Sequence, residues 1–423
     1  LEVVCADGRS DELFFTRRKR TRDEIELCAV NMATGQVRVI MHDSSPPAIN
    51  EDLFTVAVLN GGKDILWWSD RNGWGQYYLY GSNGQLKNAV TKGAWTAGKI
   101  LAIDTLHRQL YFYGYGRETG RNPYYQFAYR VGLDSGEPQL LTPEDATHEV
   151  FVSRKGYYLV DNFSRINRAP RAVLRNKDGA VLCRLATADT ARLYAMGWRP
   201  PEPFTVKAAD GITDLYGIMW KPFDFDSTKK YPVISQVYPG PFTETVWTDF
   251  TVLDKYNNTS LAQVGFIVVC MGHRGSSPLR SKAYHTYGYG NLRDYALADD
   301  KHGLEQLAAI HSYMDINRLG IYGHSGGAAM AVTALCSYPD FYKVAVASSG
   351  NHDNNIYNRT WGESYQGIKA KGDTDFSFRT DVNASLAKNL RGHLLLVTGE
   401  SDKNVHPANT YRMADALIKA GKD

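Results

Sequence analysis

The sequence predicts two kinds of fold in succession, an all-β first half built from repeated four-strand units and a second half with a mostly parallel β-sheet covered by helices. Three observations predict this division. Aromatic and β-branched runs recur in the first half without helical periodicity, apolar strands alternate with helical segments in the second, and a proline cluster at residues 200–203 separates them. We therefore expect one domain over residues 1–195 and another over residues 196–423.

The first half repeats a unit of roughly 45 residues, in which an aromatic run, a second strand, a glycine turn and a third strand follow each other. Such a period is typical of β-propeller blades, and a β-sandwich of similar strand count is the alternative. The repeated order favours blades. About four blades are visible, which is few for a closed ring, so we expect others upstream of Leu1. Their aromatic or apolar runs are Leu13–Thr16, Ile65–Ser69, Leu110–Tyr113 and Tyr157–Val160.

The second half alternates apolar strands and helices, as a parallel sheet with both faces covered requires. Strands of the buried type are predicted at Pro232–Val237, Gly265–Cys270 and His393–Val397. Amphipathic patterns predict helices at Asn291–Met314 and Pro407–Ala420.

The centre of this half is Arg318–Met330, where an apolar run passes through Gly323-His324-Ser325-Gly326-Gly327 into a segment of small residues. This is the G-x-S-x-G pattern of a nucleophile elbow, a sharp turn that presents a serine between a strand and a helix. The glycines two positions before and after Ser325 would let the strand and the helix approach each other. A glycine-rich turn with an incidental serine is the alternative, but the flanking strand and helix favour an elbow. The second half is therefore predicted to be an α/β-hydrolase.

In this fold the serine, the acid and the histidine of a catalytic triad follow each other in chain order, each on a loop beyond the end of a strand. The strand that ends at Val397 leads into a loop with Asp402, which is well placed to orient an imidazolium. Glu400 is the alternative acid, and a solvated turn residue is the non-catalytic interpretation of Asp402.

The histidine base is harder to assign. His406 is the only histidine after Asp402, and the two lie too close in sequence to come from different loops. We therefore expect the base beyond Asp423, on the loop after a strand that this chain does not include. The other histidines that we considered precede the acid and have the wrong order: His273, His285, His324 and His352.

Composition excludes several other classes of function. The net charge of +3 is too small to predict nucleic-acid binding. No run of about 18 apolar residues is present, so no membrane-spanning segment is expected. The five cysteines are scattered and form no C-x-x-C pair, which makes a metal cluster improbable. We expect neither a metal nor a cofactor.

Several motifs together resemble those of the prolyl oligopeptidase family, in particular its dipeptidyl peptidase IV-like branch, and the resemblance covers nearly all of the chain. The motifs are Trp67–Trp74, Val237–Pro241, His273–Ser276, Gly323–Gly327 and Gly399–His406. The resemblance implies a propeller joined to a hydrolase domain, and peptide cleavage through a seryl acyl-enzyme without a cofactor. It also identifies the chain as a fragment that lacks both ends.

The resemblance assigns a role to individual residues. Ser325 would be the nucleophile and Asp402 the triad acid, with the amide of Gly326 and the hydroxyl of Tyr238 as the oxyanion hole. A phenol suits that task because it is a good donor that stays neutral at pH 7. The implied substrate-binding residues are Asn404, which would bind a substrate carbonyl, and Val405, Tyr357 and Trp361, which would line the pocket for the residue before the scissile bond. Such an aromatic, apolar pocket suits a proline ring.

Two departures from the family pattern concern this pocket. Gly326 and Trp361 stand where the branch commonly has tyrosine, which opens the pocket on one side and leaves the preference for proline undecided. The glutamates that hold a substrate's amino terminus in the family would lie upstream of Leu1.

The sequence therefore predicts a serine peptidase that hydrolyses short peptides, with dipeptidyl-peptidase-like release from amino termini. A carboxylesterase or other acyl hydrolase on the same fold is one alternative, since the fold does not fix the leaving group. A catalytically inactive, propeller-bearing binding protein is the other. The resemblance suggests a periplasmic or extracytoplasmic location, with the signal segment outside this chain, and is compatible with a homodimer.

Residues 1–423 expressed alone should show negligible hydrolysis of chromogenic dipeptide substrates, because the triad base is expected beyond Asp423. A longer version that continues into a strand and a histidine-bearing loop should be active in the same assay. Robust activity of residues 1–423 would contradict this prediction and would make His406, or one of the earlier histidines, the base.

Overall fold

The computed structural model describes the chain except residues 9, 155, 242, 253, 255, 373 and 423. Its contacts divide into two compact units. The first unit consists of Leu1–Asp189 with two short later segments, Thr248–Phe250 and Pro278–Ala283. The second unit consists of Thr190–Trp247, Thr251–Ser277 and Tyr284–Asp423.

Within the described part of the first unit, four antiparallel sheets of four strands each follow one another along the chain, and each is a simple meander. This repetition confirms the predicted blade-like units. The strands are β1 (Glu2–Val4), β2 (Glu12–Arg18), β3 (Glu24–Asn31) and β4 (Val37–Ser44); β5 (Val56–Leu59), β6 (Asp64–Ser69), β7 (Gln76–Gly81) and β8 (Leu86–Ala89); β9 (Thr96–Asp104), β10 (Gln109–Tyr115), β11 (Phe127–Gly132) and β12 (Gln139–Leu140); and β13 (Thr147–Val152), β14 (Tyr158–Arg165), β15 (Arg168–Asn176) and β16 (Val181–Thr187).

The aromatic runs lie on the inner strands of these sheets. Every residue of β6 and β7 is buried, because neighbouring sheets cover both faces, and this explains why the runs do not alternate with polar residues. The indole N–H of Trp67 donates to Asp43 (2.8 Å), and that of Trp68 donates to the carbonyl of Ala97 in the next sheet (2.7 Å). Burying the two indoles therefore leaves neither N–H without a partner.

The second unit is built on a seven-stranded sheet in the order β17-β18-β20-β19-β21-β22-β25. The pairs β17–β18 and β18–β20 are antiparallel, and the remaining pairs are parallel. Its strands are β17 (Glu202–Lys207), β18 (Asp214–Trp220), β19 (Tyr231–Val237), β20 (Ile267–Met271), β21 (Met314–His324), β22 (Val344–Ser348) and β25 (His393–Val397), and the hairpin β23 (Lys369–Ala370) and β24 (Phe376–Ser377) forms a separate small sheet.

Helices lie before, between and after the strands of this sheet. They are α1 (Ala191–Ala195), α2 (Asn258–Gln263), α3 (Lys282–His285), α4 (Leu297–Ile310), α5 (Gly326–Ser337), α6 (Arg359–Gln366) and α7 (Ala408–Lys419), with short 3₁₀ turns at Asn60–Gly62, Asn354–Ile356 and Asn383–Asn389. The predicted closing helix is confirmed as α7. The helix predicted at Asn291–Met314 is shorter, because Met314 pairs with Tyr231 at the start of β21 and the sheet therefore takes the end of that segment. None of the helices in the described residues is both long and apolar enough to span a membrane.

Four of the parallel strands end at the same level: β19, β21, β22 and β25. Val237 pairs with Gly323, His324 pairs with Ser348, and Ser348 pairs with Val397. The loops that follow these strands therefore leave the sheet side by side, at the edge where open α/β sheets bind their ligands.

Candidate active site

Ser325 lies between the end of β21 and the start of α5, as the elbow pattern predicts. Its backbone has φ 55° and ψ −119°, a left-handed region that non-glycine residues rarely occupy and that costs free energy. Two hydrogen bonds hold this conformation: the Ser325 N–H donates to the carbonyl of Ser348 (2.9 Å), and its carbonyl accepts from the N–H of Ala329 (3.1 Å). These two bonds therefore hold Ser325 in its strained conformation at the tip of the turn.

Glycines are required at two positions of the elbow and not at a third. A Cβ added to Gly327 would collide with the carbonyl oxygen of Val237, and one added to Gly323 would lie 2.6 Å from the same oxygen. Nothing lies within 4 Å of a Cβ added to Gly326. The expected close approach of strand and helix is therefore present, and the residue after the nucleophile is free of steric constraint and leaves one side of the pocket open.

The two predicted oxyanion donors are adjacent to the elbow. Tyr238 directly follows β19, and its Cα lies 3.3 Å from where a Cβ on Gly327 would be. The Gly326 N–H is in the first turn of the twelve-residue helix α5, where backbone N–H groups have no partner within the helix and carry partial positive charge. Tyr295 donates a hydrogen bond to the carbonyl of Pro239 and so anchors the segment that carries Tyr238.

A pocket of about 770 Å³, part of it open to solvent, contains Ser325. Six of the eight predicted site residues line it. They are Tyr238, Ser325, Gly326, Tyr357, Trp361 and Asn404. Asp402 and Val405 do not line it. Val405, which is only 2% exposed, is buried among its neighbours and does not form the pocket wall that we expected from it.

Tyr357 and Asn404 orient each other. The Tyr357 hydroxyl donates to Asn404 Oδ1 (3.1 Å), so the Asn404 carbonyl oxygen is engaged and its amide nitrogen remains as a donor for a carbonyl. The Tyr357 and Trp361 rings meet edge to face, with centroids 5.4 Å apart. These two rings form one aromatic wall of the pocket.

Asp402 lies on the loop after β25. Its Oδ1 accepts hydrogen bonds from the backbone N–H groups of Val405 and Asn404, both at 2.9 Å. These bonds stabilise the charged form and lower the pKa of the carboxyl group below its ordinary value. The carboxylate is therefore ionised at neutral pH, as a triad acid must be.

Two histidines near the site, His406 and His324, have other partners. His406 Nδ1 accepts the N–H of Ala408 (3.1 Å) at the start of α7, which is a local capping role. His324 is exposed and its Nδ1 lies 3.1 Å from the Ser348 hydroxyl. The prediction that the base lies beyond Asp423 stays a prediction.

Sequence reasoning missed a group of polar residues in the pocket. Asn351, His352, Asn354 and Asn383 line it together with Ser325. The first three belong to the dense polar run at residues 351–355, which begins three residues after β22 at the ligand-binding edge of the sheet. That composition and position could have indicated a site.

The first unit contains a buried cluster of metal-ligand type. One ligand atom each of Glu144, His148 and Asp161 lies within 4.8 Å of the others. However, the guanidinium of Arg175 already binds both carboxylates, at 2.5 Å from Glu144 and 2.8 Å from Asp161. This cation offsets the charge of the buried Asp161, and Glu144 is partly exposed, so we interpret the cluster as an ion-pair network.

Comparison with known proteins identifies the family. A model of the prolyl oligopeptidase family matches residues 252–423, and a model of the dipeptidyl peptidase IV (DPP IV) N-terminal region matches residues 6–170. The chain belongs to the prolyl oligopeptidase family and is DPP IV-like. Its four meander sheets are therefore part of a β-propeller, and its parallel sheet is that of an α/β-hydrolase domain.

Individual relatives agree with this placement. Human dipeptidyl peptidase 8 is 27% identical over 348 residues, which are 79% of this chain and 38% of that protein. Dipeptidyl peptidase 4 of Trichophyton rubrum is 24% identical over 436 residues, 99% of this chain and 54% of that protein. The chain thus spans about half the length, or less, of the curated relatives that it matches.

Solved structures share the fold along the whole chain. The crystal structure of Porphyromonas gingivalis dipeptidyl peptidase 4 superposes with a TM-score of 0.86 at 22% identity, covering 100% of this chain and 58% of that one. A putative dipeptidyl aminopeptidase IV from Bacteroides ovatus gives a TM-score of 0.86 at 25% identity, covering 100% of this chain and 62% of that one.

The elbow geometry predicts effects of different size on stability at two adjacent glycines. Gly327→Ala should lower the free energy of unfolding of this prolyl oligopeptidase-family chain by about 2 kcal/mol or more, because the new methyl group collides with the backbone of Val237. Gly326→Ala, the matched control, should change it by no more than about 1 kcal/mol, since there is space and alanine favours the helix. Thermal unfolding followed by circular dichroism measures both, and equal midpoints would contradict the geometry.

Proposed function

We propose that this chain carries the catalytic domain of a serine peptidase that removes dipeptides from the amino termini of short peptides. One observation carries the proposal: a strained Ser325 lies in one pocket with a helix N-terminus, a tyrosine and an orienting amide. The names of the relatives, dipeptidyl peptidases 4 and 8, support the choice of substrate class.

In the proposed reaction, the Oγ of Ser325 attacks the carbonyl carbon of the scissile bond and its proton passes to an imidazole oriented by Asp402. The carbonyl oxygen becomes an oxyanion, which the Gly326 N–H and the Tyr238 hydroxyl stabilise as hydrogen-bond donors in this proposal. Collapse of the tetrahedral intermediate expels the protonated amine and leaves an acyl-enzyme on Ser325, which water then hydrolyses.

Two other residues hold the substrate in this proposal. The Asn404 amide nitrogen, turned by the hydrogen bond from Tyr357, donates to a substrate carbonyl on the acyl side. The side chain of the residue before the scissile bond then enters the pocket beside Trp361. A homodimer and a periplasmic or extracytoplasmic location are consistent with this function and remain predictions.

Ser325→Ala in the full-length protein that carries this chain should lower kcat by about 10³-fold or more, because the nucleophile is lost. A dipeptidyl p-nitroanilide assay measures the loss. Ser227→Ala, which changes an exposed loop serine of the same unit, serves as the control and should retain activity. Hydrolysis at the wild-type rate by Ser325→Ala would refute the elbow assignment.

Tyr238→Phe in the same protein should lower kcat by about 10²- to 10³-fold with little change in KM, because the phenol donates chiefly to the oxyanion of the transition state. Tyr411→Phe removes a hydroxyl from an exposed position on α7 and controls for the substitution itself. A change confined to KM would show that Tyr238 binds the substrate in its ground state.

A further inference from the structure

Besides the aromatic rings, buried polar side chains line the pocket, and we call them the polar wall. Asn351, His352 and Asn383 expose only 6%, 3% and 2% of their surface, yet they line the pocket that contains Ser325. Buried amide and imidazole groups are costly unless their donors and acceptors are matched. The hydrogen bonds inside this group therefore determine what it offers to a ligand.

Asn383 fixes the tautomer of His352. The Asn383 amide nitrogen donates to the carbonyl of Ala329 (2.8 Å), and the same nitrogen lies 3.2 Å from His352 Nδ1. Nδ1 must accept, so in a neutral imidazole the proton is on Nε2. Burial lowers the pKa of His352 to about 4, which keeps the ring neutral at physiological pH. His352 thus presents an N–H donor at Nε2.

The group has one donor and one acceptor to spare. Asn351 donates from its amide nitrogen to Asn354 Oδ1 (2.7 Å), which leaves Asn351 Oδ1 as an acceptor. Both His352 Nε2 and Asn351 Oδ1 are buried, and no group in the described residues bonds to either. A ligand that accepts from the first and donates to the second would satisfy both.

The cation that lines the pocket is already paired. Arg293 forms two hydrogen bonds with Asp294, both at 2.7 Å, and lies 4.0 Å from Asp381. The described lining residues therefore offer no free cation to an acidic side chain. The Asp381 side chain is 77% exposed, so water and salt screen its charge, whereas the buried unmatched groups are neutral and favour a neutral ligand.

We propose that this polar wall selects, for the residue before the scissile bond, an uncharged side chain that both accepts and donates a hydrogen bond. Carboxamides (asparagine, glutamine) and hydroxyls (serine, threonine) have this chemistry, and proline lacks it. The inference rests on the proposed peptidase function and names its substrate class. It replaces the apolar pocket that we expected from the resemblance, because residues that follow β22 line the pocket with amides and an imidazole.

The test uses the full-length protein and a set of dipeptidyl p-nitroanilides that differ only in the second residue: asparagine, glutamine, serine, proline, leucine or aspartate. We expect kcat/KM for at least one uncharged polar residue to exceed those for proline, leucine and aspartate by about 10-fold or more, because a site with buried hydrogen-bonding groups rejects substrates that leave them unmatched. The asparagine and serine arms distinguish carboxamide from hydroxyl recognition. A preference for proline, leucine or aspartate would overturn the inference.

Substitutions in the polar wall test whether it determines the preference for uncharged polar residues. His352→Leu removes the donor. It should reduce by about 10-fold the ratio of kcat/KM for the preferred polar substrate to kcat/KM for the proline substrate. His352→Gln keeps a donor and should restore part of this ratio. Asn351→Leu removes the acceptor and serves if His352→Leu does not fold. An unchanged ratio in folded variants would overturn the assignment.

The two proposals can fail separately. Efficient hydrolysis with a preference for proline would leave the peptidase function intact and refute the polar wall. Absence of hydrolysis with every member of the set would refute the proposed function, and with it the inference in its present form. Binding of the same peptides to Ser325→Ala, measured by calorimetry, shows independently whether the pocket prefers polar residues.

Discussion

The close contact between the backbone at Val237 and the first turn of helix α5 is the constraint on which the site depends. Gly323 and Gly327 contribute no side chains, so the strand end and the helix can meet at the Val237 carbonyl. That contact forces the turn between them into the strained conformation of Ser325. It also brings Tyr238, the residue that directly follows β19, close to the elbow. One steric condition therefore positions both the proposed nucleophile and the residue proposed as an oxyanion donor.

The rest of the site follows from the parallel sheet. Four neighbouring strands end at one level, so loops that are far apart in sequence leave the sheet next to each other. The loop after β22 supplies the amides and the imidazole of the pocket, and the loop after β25 supplies Asp402 and Asn404. The helix dipole of α5 acts at the same edge. The sheet thus gives these polar segments a defined geometry.

The pocket combines two chemistries that have different roles. Its aromatic wall, Tyr357 and Trp361, provides apolar surface, and Tyr357 also donates a hydrogen bond to Asn404. The polar wall has an acceptor on Asn351 and a donor on His352 that no described group binds. Since a buried polar group discriminates more strongly than apolar contact does, we expect the polar wall to dominate the choice of substrate.

The sequence by itself determined the two fold classes and the elbow, because each follows from a local pattern: strand and turn repeats, and glycines at fixed spacing around Ser325. Asp402 as the triad acid, which is predicted from its position after an apolar strand, stays a prediction. Only the tertiary structure decided which side chains share the pocket. The burial of Val405, the shorter helix α4 and the position of His352 all depend on contacts between segments distant in sequence, which periodicity and motif spacing do not encode. The character of the pocket is therefore a property of the folded sheet edge, not of any single motif.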